Sequence, residues 1–477
     1  MLVDGQMVDA TSGQHVNVTS PSDGLDLGTV PLADEADVDV AVTAARKAYD
    51  SGWREMMPAQ RERLLRRVTD LIEQHSDELA EIESIDNGKP VSHTKPIDGP
   101  VAARLAANFA GWPTKIAGDT PAVSIPGHFV YTLRQPVGVV GAIIPWNYPL
   151  VHTAQKIMPA LACGNTIVLK PSEKASLVSL RMAELFAEAD LPPGVVNIIT
   201  GDGPTTGRTL SQHPVVDKVA FTGSVASGQA VMRSASSTTK RLSLELGNKG
   251  ANIIFSDADL DAAVARSFVA AFGNTGQSCV AGSRLFVQAD VYSQVVEQLV
   301  SLAAQARIGH ALDPATSIGP IVDEIQLDKI VGYIDRAVNE RATMRCGGER
   351  LTEGELGRGH FIGPTIFTNV DDSAAVACEE IFGPVVTVHR FDTEDEVVSR
   401  ANNTPYGLAS AVWTKSVDRA HRVAARLDTG VVWVNTFDMF DPTTPFGGMK
   451  GSGFGRDNGR EVIDMYTESK AVWVGTK

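Results

Sequence analysis

Three features of this sequence predict an α/β protein built from two bodies on parallel sheets. From residue 137 onward, short apolar β-type runs alternate with helix-type segments. Runs such as VGVVGAII (137–144) and TIVL (166–169) are apolar on consecutive residues, as strands covered on both faces must be. The chain has 477 residues, more than one core normally serves, and the alternation continues beyond residue 248. Two α/β domains with minor elements follow.

Taken in order, residues 1–35 read as short strands and turns, with SPSDG (20–24) as a turn. Helical spacing covers 36–50 and 58–85, the second placing Leu64, Leu65, Val68, Leu71 and Ile72 on one side. Another helix covers 99–112, and HFVYTLRQP (128–136) alternates like a strand that Pro136 ends. Strand runs at 137–144, 166–169, 195–199 and 216–221 are separated by helices at 149–162, 173–189, 204–212 and 225–235. A strand over 240–244 closes this set. The second set has strands at 251–255, 284–288, 384–390, 408–414 and 430–434. Its helices fall near 259–271, 291–307, 323–341, 394–402 and 416–427. The last run, ESKAVWV (468–474), is a strand that can join 128–135 in an arm outside both bodies, a surface suited to another subunit.

Composition narrows the function. A formal net charge of −15 disfavours a nucleic-acid partner. Cys163, Cys279, Cys346 and Cys378 show no CxxC spacing, and no histidine pair has metal-ligand spacing, so neither disulfides nor a metal is expected. The N-terminus lacks a signal pattern and no run approaches the ~18 apolar residues of a membrane span. A cytoplasmic protein with no membrane partner is the expectation.

Ligands of doubly wound sheets bind beyond the carboxyl ends of the strands. PWN (145–147), KPSE (170–173), GDG (201–203), TGS (222–224) and ELGN (245–248) stand at those ends. GDGPTTG and TGSVASG miss the strict GxGxxG spacing, so as dinucleotide signals they compete with simple turns. In KPSE, Lys170 can meet a phosphate or hydroxyl and Glu173 a ribose diol; the competing meaning is an ordinary helix start. GQSCVAGSR (276–284) places Cys279 on a loop between Gly276 and Gly282, either as a held, exposed thiol nucleophile or as a small buried side chain. A thiolate, an amide donor, a carboxylate base and a nicotinamide together could oxidise an aldehyde. The thiolate adds to the carbonyl, the donor holds the alkoxide, hydride leaves, and activated water cleaves the thioester.

Eight motifs carry a family resemblance over essentially the whole chain. They are PWNYPL (145–150), KPSE (170–173), FTGS (221–224), LELGNK (244–249), GQSCVAGSR (276–284), EEIFGPV (379–385), NTPYGLA (403–409) and PFGGMKGSGFGR (445–456). In this order they resemble the NAD(P)-dependent aldehyde dehydrogenase superfamily, in its hydrolytic, non-acylating branch. The resemblance implies a Rossmann-like cofactor domain (1–117 and 137–247), an α/β catalytic domain (248–450) and a small β oligomerisation arm (118–136 and 464–477). It makes Cys279 the nucleophile, Glu245 the base for the deacylating water, and Asn147 the oxyanion donor. Lys156 and Glu468 match a pair proposed in relatives as a proton relay. The cofactor is expected to be NAD, with NADP less favoured. Lys170 and Glu173 would lie on the adenine ribose, Ser224 on the pyrophosphate, and Glu380 with Phe382 on the nicotinamide ribose. Ile144, Pro145, Trp146, Ser172, Gly201, Gly223 and Leu246 complete the expected cofactor site.

Some positions depart from the family. Relatives usually carry glycine where Asn248 stands; asparagine tolerates a left-handed turn, but its side chain is expected to crowd the nicotinamide. Gln155 and Gly273 replace aromatics of the substrate tunnel and imply a wider, more polar entrance, with Trp112, Tyr148 and Phe440 as aromatic walls. The implied partners are a small aldehyde and further copies of the chain, as a homodimer or homotetramer. Two other readings are a coenzyme-A-acylating relative, which would generally lack a glutamate at position 245, and a catalytically idle structural relative, which would not need Cys279, Glu245 and Asn147 together.

Overall fold

A computed structural model describes residues 1–476. Five parallel strands form the centre of the first sheet, in the order Arg241–Glu245, Lys218–Thr222, Val139–Ile143, Thr166–Lys170, Val196–Ile198. The first three strands in sequence progress outward in one direction and the last two in the other. The order therefore reverses between Val139–Ile143 and Lys218–Thr222, where a crevice opens above the carboxyl ends. Antiparallel strands extend both edges. Gly453–Phe454 joins Arg241–Glu245, and Leu2–Val3 with Gln6–Met7 joins Val196–Ile198.

The consecutive apolar residues follow from burial on two faces. Val140, Ala142, Ile167 and Leu169 enter one core with the helices Pro58–Gln74, Gly99–Ala110, Pro149–Ala162 and Leu177–Glu188. Their neighbours Val139, Ile143 and Val168 enter the other, against Glu35–Ala48 and Val225–Ala235. Each fully buried valine, leucine or isoleucine contributes about 1.5–3 kcal/mol, so neither face tolerates a polar alternation.

The second sheet runs Thr343–Cys346, Thr365–Thr368, Val385–Phe391, Arg284–Gln288, Ala251–Ile254, Ala409–Trp413, Val431–Val434, parallel except for the first strand. Sequence pattern locates all of these but the first two. Thr343–Cys346 is a largely exposed edge strand, and Thr365–Thr368 is only four residues long, so neither shows a marked apolar run. The single helix expected over 58–85 is two, Pro58–Gln74 and Ser76–Asn87, broken at His75 with ψ 12°. The amphipathic spacing continues across that one-residue break and hides it. The expected pairing of the last strand is present: Thr467–Gly475 runs antiparallel to His128–Pro136 in a separate two-stranded sheet.

The two sheets present opposite ends to each other. The first offers its carboxyl edge, and the second offers the loops that precede Arg284–Gln288 and Val385–Phe391. Those loops pack backbone to backbone at Gly276. Its φ is +69°, and a Cβ there would lie 2.1 Å from the Gly383 carbonyl oxygen. Only glycine meets both demands.

Candidate active site

The loop that leads to Cys279 is held in an uncommon conformation. Asn274, Thr275 and Gly276 are successively left-handed, with φ of 50°, 54° and 69°. For a β-branched threonine this costs on the order of 1–3 kcal/mol, and the surroundings must over-determine it. They do so through hydrogen bonds. Thr275 Oγ1 donates to Gly319 O (3.0 Å), Gln277 Nε2 to Pro320 O (3.3 Å), and Val322 N to Gln277 Oε1 (3.0 Å). Asn274 Nδ2 donates to both Asn147 O and Gln277 O at 3.1 Å. The loop carrying Cys279 is thereby tied to the segment carrying Asn147.

Cys279 is half-buried and lies where two cavities meet. The first cavity occupies the crevice at the sheet's reversal point. Its walls include Pro145, Trp146 and Asn147 after one strand, Thr222, Gly223 and Ser224 after the next, and Glu245, Glu380 and Phe382. Trp146 and Phe382 meet edge to face, with centroids 5.3 Å apart. Ser224 caps the helix Val225–Ala235, accepting from Ser227 N at 3.2 Å. The second cavity is lined by Tyr148, Gln155 and Phe440 together with Ile97, Val101, Val151, Phe446, Asp98 and Asp438.

Glu245 ends the strand Arg241–Glu245 and is buried, with neither carboxylate oxygen hydrogen-bonded. Burial, and then the neighbouring Asp457, push its pKa well above the usual 4.5, against the pull of Lys156 and Arg456. Burial also raises the Cys279 thiol, and Glu380, Asp438 and Glu245 add to the rise. Asn147 Nδ2 donates to Gln277 O at 3.1 Å, which leaves its second N–H for a ligand, while its Oδ1 has no partner.

The remaining expected residues divide. Lys170, Ser172, Glu173 and Gly201 follow the carboxyl ends of Thr166–Lys170 and Val196–Ile198, farther along the same edge. Lys170 pairs with Glu173 at 3.3 Å, and Ile144 N donates to Lys170 O. Leu246 N donates to Ser452 O. Trp112 packs partly buried against the first core, and Gly273 faces only Val269; neither lines either of these two cavities. Lys156 and Glu468 do not meet. Buried Lys156 is ion-paired with buried Asp457, while half-buried Glu468 at the start of the arm pairs with Arg241. A fully buried ammonium needs a buried carboxylate, which a residue on a two-stranded exposed arm cannot supply.

Asn248 also departs from expectation. It is not left-handed, and its side chain turns away from the cavity into the second sheet. There its Nδ2 donates to Ala409 O (3.2 Å) and its Oδ1 accepts from Leu408 N (3.3 Å), while its backbone N–H donates to Glu380 Oε1 (2.9 Å). Sequence reasoning missed His152, which lines both cavities, and Asn274, Gln277, Lys329 and Asp457. Only Asp457 carried a usable signal, as a carboxylate directly after the GSGFGR motif.

Residues 7–472 match the model of the aldehyde dehydrogenase family. The chain belongs to this family. It is 46% identical over 478 residues to the mitochondrial aldehyde dehydrogenase of Homo sapiens, covering 99% of this chain and 91% of that one. The mitochondrial benzaldehyde dehydrogenase of Antirrhinum majus is 44% identical over 479 residues, covering 100% and 89%. An aldehyde dehydrogenase from Bacillus cereus, solved as its NAD+ complex, superposes with a TM-score of 0.98 at 44% identity, covering 100% and 96%.

The raised Glu245 pKa makes a stability prediction. Below the ordinary value of 4.5 the carboxyl is protonated in both folded and unfolded chains and costs nothing. As pH rises toward the folded value, the unfolded chain ionises first and the native state loses stability, about 1.4 kcal/mol per unit of pKa difference. Glu245→Gln should therefore melt with wild type near pH 4.5 and progressively above it toward pH 8. A constant melting difference across that range would contradict an unpaired, buried carboxyl.

Proposed function

We propose that Cys279, Asn147 and Glu245 divide the chemistry of this NAD-dependent aldehyde dehydrogenase, and that the first cavity takes the nicotinamide end of the cofactor. The observation carrying this reading is that Cys279 stands between two cavities, with orphaned polar atoms of Glu245, Asn147 and Thr222 beside it. Buried polar groups without partners are costly and suit a site that a ligand completes. The donor set fits a dinucleotide: a helix N-terminus at Ser224 for phosphate, Glu380 for ribose hydroxyls, and an aromatic wall at Phe382. When bound, NAD accepts the hydride.

The protein's own groups do the rest. The Cys279 sulfur adds to the aldehyde carbon, and Asn147 Nδ2 with the Cys279 backbone N–H holds the alkoxide oxygen, one such donor being worth ~10²–10³ in rate. Loss of hydride leaves a thioester on Cys279. Glu245 then takes a proton from water, whose oxygen attacks the thioester carbon, releasing the carboxylic acid and returning the thiol. A carboxylate with a raised pKa is the stronger base for this step. The neutral thiol must also lose its proton before it adds, and Glu245 is among the carboxylates close enough to affect it.

Lys170 and Glu173 are assigned to the adenine ribose, where the Glu173 carboxylate disfavours a 2′-phosphate. The arm exposes Phe129, Leu133, Trp473 and Val474, and a second copy of the chain is the partner we assign to it. Four free cysteines suit a reducing, cytoplasmic setting.

Three measurements test this reading. Glu245→Gln should release up to one NADH per subunit and then stall with an acyl adduct, seen by intact-mass spectrometry and absent in Cys279→Ser; steady turnover without adduct would assign the base elsewhere. Wild type should prefer NAD over NADP by at least ~10-fold in kcat/KM, and Glu173→Gln should narrow that ratio; an unchanged ratio would remove Glu173 from cofactor choice. Trp473→Asp should sediment as a smaller species than wild type, whereas identical sedimentation would place the subunit contact elsewhere.

A further inference from the structure

The second cavity carries a polar feature that the chemistry above does not use. His152 lines both cavities, and Cys279 is the other residue they share, so the imidazole stands near the position of the reacting carbon. His152 Nδ1 lies 3.0 Å from Gln155 Oε1, and Gln155 Nε2 donates in turn to Asn458 Oδ1 at 3.4 Å. With Gln155 so oriented, Nδ1 is the protonated nitrogen. His152 Nε2 then bears a lone pair, and it is buried without a partner. Burial, with Lys156 nearby, lowers the imidazole to about 4, so it is neutral through the working pH range. The rest of the cavity wall is largely apolar: Ile97, Val101, Val151, Phe440 and Phe446.

We infer that His152, oriented by Gln155, selects aldehydes with an apolar, ring-sized body that carries a hydroxyl donor close to the carbonyl. This rests on the assignment of the second cavity to the aldehyde. An unpaired buried acceptor is costly until a donor reaches it, and a site built to accept a hydrogen bond discriminates strongly against an analogue that lacks the donor. A hydroxyl fits better than an ammonium. Burial opposes positive charge at His152, as do Lys156 and, more weakly, Lys89, against the pull of Gln155 and Asp457. The cavity's carboxylates are compromised as counter-ions: Asp98 is paired with Lys89, and burial raises the pKa of Asp438.

The test compares 2-, 3- and 4-hydroxybenzaldehyde with their methoxy counterparts, benzaldehyde and 3-aminopropanal in wild type, His152→Leu and Gln155→Leu. In wild type at least one hydroxy isomer should exceed its methoxy partner by ~10-fold or more in kcat/KM, and His152→Leu should bring that ratio within ~2-fold. Gln155→Leu should lower the ratio too, because the imidazole tautomer is no longer fixed. Calorimetric binding of the matching hydroxy- and methoxybenzoates to wild type and His152→Leu should show the same pattern without turnover. Equal ratios for every pair, or the same ratios in wild type and His152→Leu, would overturn the inference. A methoxy preference would mean that the imidazole presents N–H, and a preference for 3-aminopropanal would give selection to the carboxylates. If no aldehyde produced NADH, the proposed function would fail, while the benzoate comparison would still decide the role of His152.

Discussion

An ionisable group buried without a partner must be neutral or be compensated, and this constraint shapes the junction between the two sheets. Lys156 is fully buried and takes Asp457 as its counter-ion. Lys89, also buried, takes Glu83 and Asp98 and stands 3.4 Å over the Tyr148 ring. Breaking either arrangement from one side would leave a stranded charge, a loss on the order of 3–5 kcal/mol. Glu245 and Cys279 lie among these groups without such a counter-ion. Both are pushed toward their protonated forms, so a proton must leave each before the sulfur can add or the carboxylate can act as a base. Each is then the stronger nucleophile or base for its raised pKa. Glu245 and Asn147, at and beyond the carboxyl ends of first-sheet strands, and Cys279 and Glu380, in loops that lead into second-sheet strands, are brought to one place because the sheets meet end to end.

A contact that crosses this junction is Asn274 Nδ2 to Asn147 O, while Gly276 against Gly383 joins two loops of the second sheet. Together they hold the Cys279 loop in a left-handed course that isolated residues would avoid. Asn248 performs a related task from the other side. Its side chain joins the strand end at Leu408 and Ala409, and its N–H reaches Glu380, so one residue links three segments beside the first cavity. A glycine could supply only the last of these bonds.

Much of this was legible in the sequence, for identifiable reasons. Strands buried on two faces announce themselves as unbroken apolar runs, and the residues following three of them, Pro145–Asn147, Gly223–Ser224 and Gly247, line the crevice. Family motifs brought Cys279, Asn147, Glu380 and Phe382 to the same site. What stayed hidden depends on direction and pairing. Nothing in the spacing tells which carboxylate finds Lys156, and the motif match to Glu468 pointed to an arm that instead reaches Arg241. Gly273 is close to Cys279 in sequence, yet the left-handed turn between them carries it off the cavity wall. His152 sits on a helix whose residues are all buried, so periodicity could not distinguish a core histidine from one that lines a cavity.

Burial and surrounding carboxylates keep Cys279 protonated in the enzyme without ligands. The rate of its alkylation by iodoacetamide as a function of pH, followed by mass spectrometry of the peptide containing Cys279, measures this directly. The thiol should titrate above the ordinary value of 9.0 in wild type and move downward in Glu245→Gln as one of the neighbouring carboxylates is removed. A thiol already ionised at neutral pH, or one whose titration ignores Glu245, would contradict it.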